Sequence, residues 1–286
     1  DEAGWGMNEE TGIREKDGET LNLTFIYDTA QDSLVSSYAT LLKSQLEKVG
    51  IGLELNHTCI SEMLDLSNRD ALLEEIRRDM DASGADTPQK LLLHGPFTEI
   101  YPAAIDYRAR ELGMQRLNEA YEVAATLGVT RMIVHNGWLP FIYFKSWQAE
   151  KGALFWQAFL RDKPADFELC IENVLEDEPD MLVDMMRQID DPRIRLCLDI
   201  GHANAVTAKN LPVTRWIQRL APYLAPFHLH NNDGSGDTHA AFDAGSMDMQ
   251  EILQTIDRCC ADGVTYTIEA REPLPCLAWL KAHQYL

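Results

Sequence analysis

Three stretches in the second half of the chain indicate its architecture: RLCLDIGHAN (195–204), PFHLHNNDGSGDTH (226–239) and TYTIEARE (265–272). Each begins with an apolar run that is typical of a buried strand and ends in residues that ligate metals. The pattern recurs upstream in LLLHGPF (91–97), RMIVHNG (131–137) and LCIENV (169–174). Catalytic residues of a (β/α)8 barrel lie at the carboxyl ends of its strands. The pattern therefore predicts a barrel with an active site of His, Asp and Glu side chains.

Strand-like and helix-like segments alternate along the rest of the chain. LNLTFIY (21–27) and IGLEL (51–55) are interpreted as the first two strands, with helical spacing of apolar residues from about Ser33 to Val49. Eight such units predict a single-domain α/β fold, a (β/α)8 TIM barrel over residues 21–286. An open doubly wound sheet is the rival, but it would not need a ligand residue at six strand ends. Residues 1–20 are polar and rich in glycine, and we interpret them as a loop or N-terminal extension.

Composition narrows the range of partners. The net charge of −21 repels polyanions, so a small molecule is a better candidate partner than nucleic acid. The six cysteines form no C-x-x-C pair, which is typical of reduced cysteines in a cytoplasmic protein. Since no apolar run reaches about 18 residues, we expect no membrane span.

The first candidate metal group consists of residues that end the predicted strands five to eight, namely Glu172, Asp199, His228 and Glu269. Carboxylates with one imidazole suit Mn²⁺, Mg²⁺, Co²⁺ or Zn²⁺. A single carboxylate at a strand end is as easily explained by solvation or a salt bridge. Three carboxylates and one imidazole at the ends of neighbouring strands together predict a divalent metal site.

A second metal is suggested by His94 and His135, which end the predicted strands three and four. Beside Glu172, they could hold an ion that this carboxylate bridges to the first group. The alternative is that each histidine is a hydrogen-bonded core residue.

A third group consists of His202, Asp237 and His239. His202 follows its strand directly, and D-x-H places Asp237 and His239 on one extended face, a set that suits zinc. The alternative is that His202 contacts the substrate and that D-T-H is only a loop. His230 points to the same side as His228 by strand period, and we expect it to contact the ligands or the substrate.

The motifs HGPF, VHNG, IEN, CLDIGH, HLHNND, DTH and IEA resemble those of the xylose-isomerase-like TIM barrel superfamily, from about residue 60 to the C-terminus. This superfamily includes sugar isomerases and epimerases and the endonuclease IV type of nucleases. The resemblance to endonuclease IV implies three zinc ions with nine ligands. Matched motif by motif, these are His94, His135, Glu172, Asp199, His202, His228, Asp237, His239 and Glu269.

The epimerase branch implies a different use of the same residues. It uses one Mn²⁺ or a similar ion on Glu172, Asp199, His228 and Glu269. Glu172 and Glu269 would then be the catalytic acid–base pair, and His202 would contact the substrate. The resemblance thus implies one to three divalent ions, zinc or manganese first, with magnesium or cobalt as further options, and homo-oligomers are common in the family.

The surroundings favour a small substrate. Aromatic residues such as Trp138 and Phe141 follow the fourth predicted strand and could pack on a sugar, or else only on the barrel rim. Lys145 and Arg271 are basic residues expected near the mouth and could bind substrate. We therefore expect a metal-dependent isomerase or epimerase of a sugar or sugar phosphate. The alternative is a multinuclear zinc phosphodiesterase of the endonuclease IV type.

The N-terminal segment has a different resemblance. AGW…GIREKDGETLNLTFIYD within residues 1–55 resembles part of the periplasmic peptide- and nickel-binding proteins of ABC importers. This resemblance implies a chimera in which a borrowed strand–helix–strand of about residues 21–55 replaces the start of the barrel. A folded barrel that binds metal without activity is therefore a further alternative.

Overall fold

The fold was analysed in a computed structural model that describes residues 4–27, 41–49, 51–57, 69–83, 91–207 and 210–286. The contacts divide the chain into two compact units, residues 1–79 and 80–286. All nine candidate ligands belong to the second unit.

A six-stranded parallel sheet forms the centre of the second unit. Its strands are β6 (Leu93–His94), β7 (Arg131–His135), β8 (Glu168–Glu172), β9 (Ile194–Asp199), β10 (Leu224–Leu229) and β11 (Thr265–Ile268). They pair in chain order, which is the order expected for successive strand–helix units of a barrel. Strand β6 is shorter than the apolar run that ends at His94, because only Leu93 and His94 pair with β7.

The register of this sheet aligns the predicted ligands. His135 pairs with Glu172 across β7 and β8, and His228 pairs with Asp199 across β9 and β10. Parallel strands in register bring their carboxyl ends to the same edge. The apolar runs singled out in the sequence thus place their terminal polar residues at one level.

Helices of the second unit connect and cover these strands, and helix α1 (Arg69–Ser83) precedes them in the chain. The bounds of these helices are α2 (Tyr107–Leu127), α3 (Lys145–Leu160), α4 (Asp180–Gln188), α5 (Ile200–Thr207), α6 (Val213–Leu220), α7 (Met249–Cys259) and α8 (Pro273–Ala282). The core between sheet and helices contains fully buried Trp156 and Trp216. Burying such large side chains stabilises the fold, at roughly 25 cal/mol per Å² of apolar surface. One helix was not expected, since α5 begins directly after Asp199 and places His202 in its first turn.

The first unit corrects the interpretation of residues 1–20 as a loop. Strands β1 (Gly6–Met7), β2 (Arg14–Lys16) and β3 (Glu19–Thr20) form an antiparallel sheet. Asp17 and Gly18 form the turn between β2 and β3, with φ of 54° and 85°. Asp-Gly at a two-residue turn is a strong hairpin signal, because both positions require positive φ. The polar composition concealed this signal.

The predicted strands of 21–27 and 51–55 correspond to β4 (Asn22–Tyr27) and β5 (Gly52–His57), which pair in parallel. Residues 41–47 are helical, while the first part of the helix expected from Ser33 lies outside the described residues. The origin of this segment as a graft stays a prediction.

Two expectations from composition can be compared with the structure. Within the described ranges, no helix is both long and apolar enough to cross a membrane. Five cysteines are described, and all five are free, with Cys170 and Cys197 buried in the sheet as their apolar runs predicted.

Candidate metal centre

All nine predicted ligands come together at the carboxyl end of the sheet. They form three groups, and within each group the potential ligand atoms lie within 4.8 Å of one another. The groups are His94, His135 and Glu172; Glu172, Asp199, His228 and Glu269; and His202, Asp237 and His239. Glu172 belongs to the first two groups and therefore joins them.

Glu172 is the centre of the arrangement. Its Oε2 lies 3.3 Å from Nε2 of His94 and 3.7 Å from Nε2 of His135. Its Oε1 lies 3.2 Å from Nδ1 of His228 and 3.4 Å from Nδ1 of His202. Burial alone would raise the pKa of Glu172, but hydrogen bonds from the imidazoles hold it well below its usual range. Oε2 thus contacts the two histidines of the first group, and Oε1 contacts one histidine of the second group and one of the third.

The second group has one accessible carboxylate. Nδ1 of His228 lies 3.1 Å from Oε1 of Glu269 and 3.9 Å from Oδ2 of Asp199. Asp199 and His228 are buried, whereas the Glu269 side chain is 26% exposed. Partial burial raises the pKa of Glu269. Glu269 is therefore the member of this group that solvent or a substrate can reach.

The third group is a carboxylate between two imidazoles. Oδ2 of Asp237 lies 3.0 Å from Nε2 of His239 and 3.3 Å from Nε2 of His202. The hydrogen bond from His202 lowers the pKa of Asp237 to about 2. Burial would lower the pKa of His202, but its bonds to Asp237 and Glu172 raise it to about 11. The carboxylates here favour a positive charge at their centre.

Backbone carbonyls fix the orientation of three imidazoles. Nδ1 of His94, His202 and His239 lies 2.9, 2.9 and 2.8 Å from the carbonyl oxygens of Gly95, Asn173 and Glu269. A metal-ligating histidine usually donates its other ring N–H in this way, which leaves the second nitrogen free for the ion. This arrangement is what a set of neutral imidazole ligands requires.

Asparagines that follow the ligands hold the strand ends together. Nδ2 of Asn173 donates to the carbonyl oxygen of Asp199 at 3.0 Å, and its Oδ1 accepts from the Asp199 amide at 2.9 Å. Asn231 and Asn232 make similar bonds to backbone groups after β10 and β9. These asparagines were not among the predicted site residues, although they lie in the motifs IEN and HLHNND, which carry the resemblance.

His230 contacts residues of two of the three groups. Its Nε2 is 3.1 and 3.2 Å from the two carboxylate oxygens of Asp199, and its ring stacks on His239 at 3.9 Å. A Cβ on Gly201 would lie 1.9 Å from Cε1 of His230, so this close approach requires glycine. Buried His230 therefore contacts a residue of the second group and a residue of the third.

The donor set fits divalent cations. Among the residues that the structure describes, no lysine or arginine lies within ion-pair distance of the four carboxylates, whose ion-pair partners are all imidazoles. Buried carboxylates without such partners need protons or metal ions. Cys197 also lies near Glu172 and His228, but burial raises the pKa of its thiol well above the usual range. Oxygen and imidazole donors are therefore the better set.

The residues predicted to contact substrate occupy different environments. Trp138 is buried and donates from Nε1 to the Tyr143 carbonyl oxygen at 3.0 Å, whereas Phe141 is fully exposed. Lys145 lies in ion pairs with Asp177 and Glu178, at 2.6 and 3.0 Å. The side chain of Arg271 is exposed, and its backbone amide donates to the carbonyl oxygen of His239.

The chain belongs to the xylose isomerase-like TIM barrel family, which matches residues 52–284. This match confirms both the resemblance and the TIM-barrel fold predicted from the sequence. MJ1311, an uncharacterized protein of Methanocaldococcus jannaschii, is 26% identical over 189 residues, 61% of this chain. The chain spans only 62% of the length of that relative.

Solved structures share the fold. A Thermus thermophilus protein, TTHB071, soaked with ZnCl2, is 24% identical with a TM-score of 0.62, over 91% of this chain and 96% of that one. A D-tagatose 3-epimerase-like protein is 17% identical with a TM-score of 0.57, over 93% of this chain and 88% of that one. At these identities the similarity concerns the fold alone.

Proposed function

We propose that this chain is an enzyme whose centre binds more than one divalent cation and that it hydrolyses small phosphoesters. The observation that supports this proposal is the position of Glu172, whose two oxygens are shared by imidazoles from all three groups. A carboxylate in this position is suited to bridge ions.

A mononuclear site leaves most of the cluster unexplained. It would use four donors, whereas five more converge on the same place: His94, His135, His202, Asp237 and His239. Glu172 is only 1% exposed, and both its oxygens are engaged, so a substrate has little access to it as a base. These features favour a ligand role for Glu172 over acid–base catalysis.

The groups differ in the ions that they would hold. The His-rich first and third groups suit zinc, and the carboxylate-rich second group also suits manganese or magnesium. When bound at such a centre, divalent ions polarise phosphoryl oxygens and lower the pKa of water. Glu269 is the accessible carboxylate of the centre, and we assign it proton transfer with the attacking or leaving oxygen. Buried His230, which contacts both carboxylate oxygens of Asp199, holds that ligand in place.

Charge argues for a small phosphoester rather than duplex DNA. The net charge is −21, and the cation of Lys145 is compensated by two neighbouring acids. Binding duplex DNA relies on many lysine and arginine contacts to phosphates. A small anionic substrate needs only the positive charge of the centre itself, with Arg271 as a nearby cation.

The second candidate function is the sugar isomerase or epimerase expected from the sequence. It is favoured by the placement of Glu172 and Glu269, which both contact Nδ1 of His228, at 3.2 and 3.1 Å. Two carboxylates around one site could remove a proton next to a carbonyl and return it. This function requires that the substrate displaces the imidazoles from one oxygen of Glu172.

One substitution separates the two candidates. The metal-loaded enzyme should be assayed with small phosphate mono- and diesters and with ketohexoses, for the wild type and His94→Ala. We expect phosphoester hydrolysis in the wild type and at least about a 100-fold loss in His94→Ala, since ligand loss weakens a shared centre. His283→Ala, which removes an exposed imidazole outside the centre, is the control.

The opposite results would reject the proposal. Ketose epimerisation that survives His94→Ala would establish the mononuclear isomerase instead. Normal metal content without turnover of either class would support the inactive barrel.

A further inference from the structure

An apolar cavity of about 510 Å³ lies at the same end of the sheet as the metal centre. Trp138 and residues 140–144 form one wall, and Leu175, Val206 and the charged residues Lys145 and Asp177 form the rest of the lining. This volume is in the range of small-molecule binding sites, roughly 300–1,000 Å³. The cavity is therefore large enough for one organic group.

Several residues that line the cavity follow candidate metal ligands closely in the chain. Trp138 lies three residues after His135 at the end of β7, and Leu175 lies three residues after Glu172 at the end of β8. Val206 lies one helical turn beyond His202 in α5. The residues that line the cavity are therefore close in the chain to three of the candidate metal ligands.

The lining offers few free polar groups. Nζ of Lys145 is engaged with Asp177 and Glu178, and the indole N–H of Trp138 donates to the Tyr143 carbonyl oxygen. Hydroxyl groups of a bare sugar would lose their hydrogen bonds to water here without equivalent partners. The cavity thus favours an apolar group over a polyol.

The wall formed by 138–144 is ordered but leaves aromatic surface uncovered. The amides of Ile142 and Tyr143 donate to the Leu139 carbonyl oxygen, at 3.2 and 3.1 Å. Phe141 is fully exposed at a positive φ of 66°, and Phe144 is 84% exposed. Exposed aromatic surface at the edge of a cavity is typical of a binding site. Flat apolar ligands match these faces.

We propose that this cavity binds an aromatic or similarly flat apolar group carried by the substrate, so that the enzyme acts on apolar phosphoesters rather than on phosphates of bare sugars. This inference rests on the proposed phosphoester hydrolysis. Because the cavity is defined by different residues from the metal centre, the two can be tested separately.

Binding is tested with phosphonates, which cannot be hydrolysed. Calorimetry on the metal-loaded protein would compare benzylphosphonate with methylphosphonate. We expect benzylphosphonate to bind at least about 10-fold more tightly, because an apolar pocket discriminates by about 10-fold or more for even small groups. Turnover is compared with benzyl and methyl phosphate, whose leaving alcohols have similar basicity.

Two variants and one control test the location. Leu175→Trp should fill the cavity, and Phe144→Ala should remove an aromatic face from a side chain too exposed to be needed for folding. Each should lower the preference for benzylphosphonate by about 5-fold or more, in proportion to the lost apolar contact. Leu274→Ala removes an apolar side chain that is exposed on α8, and it should keep the preference.

The outcomes separate the two claims. Equal affinity for both phosphonates, or a preference that Leu175→Trp leaves unchanged, would overturn the cavity assignment even if phosphates are hydrolysed. A benzyl preference that the variants remove, without hydrolysis of either phosphate, would support the cavity and reject the proposed reaction. Absence of phosphonate binding would overturn both.

Discussion

Gly201→Ala is a substitution whose effect can be worked out from the structure. Gly201 lies in the first turn of α5, between Asp199 and His202. A Cβ at this position would lie 1.9 Å from Cε1 of His230 and 2.4 Å from each of its ring nitrogens. His230 is fully buried, so its ring must shift within the packed interior, which disturbs its contact with the Asp199 carboxylate.

Three contributions set the size of the effect. Displacing the ring weakens its hydrogen bond to the Asp199 carboxylate, which stabilises by about 1.5–3 kcal/mol. Overpacking a buried position costs about 1–3 kcal/mol. Alanine in a helix gains about 1 kcal/mol over glycine. We therefore expect a net loss of about 1.5–5 kcal/mol in the free energy of unfolding.

Gly113→Ala is the matched control. Gly113 is also buried within a helix, α2, but a Cβ there would meet its nearest neighbour, Cζ of Phe155, at an ordinary 3.7 Å. This variant should gain up to about 1 kcal/mol from helix propensity. Urea unfolding of the metal-free proteins measures both changes, and elemental analysis measures metal retention. If Gly201→Ala were as stable as Gly113→Ala and kept full metal content, the described role of His230 would be wrong.

Further predictions concern the centre itself. Glu172→Gln should abolish turnover and lower the metal content, because the amide has one neutral oxygen where the carboxylate shares two charged oxygens between ligand groups. Normal activity in this variant would show that the site is misassigned. Asn173→Ala should destabilise the protein in urea by about 1–3 kcal/mol for each backbone group of Asp199 that loses its buried partner. Removal of metal by a chelator should lower the free energy of unfolding by about 2.7 kcal/mol for each ion that had been present at 100 times its Kd. An unchanged urea midpoint would contradict metal binding in the folded state. Metal content measured over a series of pH values should fall as the pH is lowered, because His202, whose pKa in the metal-free protein is raised to about 11, must lose its proton to bind an ion.

The parts of the fold that sequence predicts best are the strand ends. An apolar run that stops at His135 or Glu172 marks both the strand and the edge where its side chain emerges, because parallel strands share that edge. The long helix from Tyr107 to Leu127 ends at Gly128, which has a positive φ of 71° and is the residue type that most often ends a helix. Local periodicity and strand direction therefore account for most of the barrel.

Other features depend on distances that sequence does not contain. The sharing of Glu172 among four imidazoles follows from the register of neighbouring strands and from the position of α5, which carries His202. The close approach of Gly201 to His230 also follows from the position of α5, and the pairing of Lys145 with Asp177 joins the start of α3 to the loop before α4. The Asp17–Gly18 dipeptide by itself predicts a hairpin turn, but the polar composition of residues 1–20 favours a loop.

Metal content per chain tests the central claim most directly. Elemental mass spectrometry of protein saturated with zinc and then freed of unbound ions should give more than one ion per chain, approaching three. His94→Ala should retain fewer ions than the wild type, because its group would lose a donor. One ion per chain in both proteins would contradict the shared centre around Glu172 and favour the mononuclear isomerase.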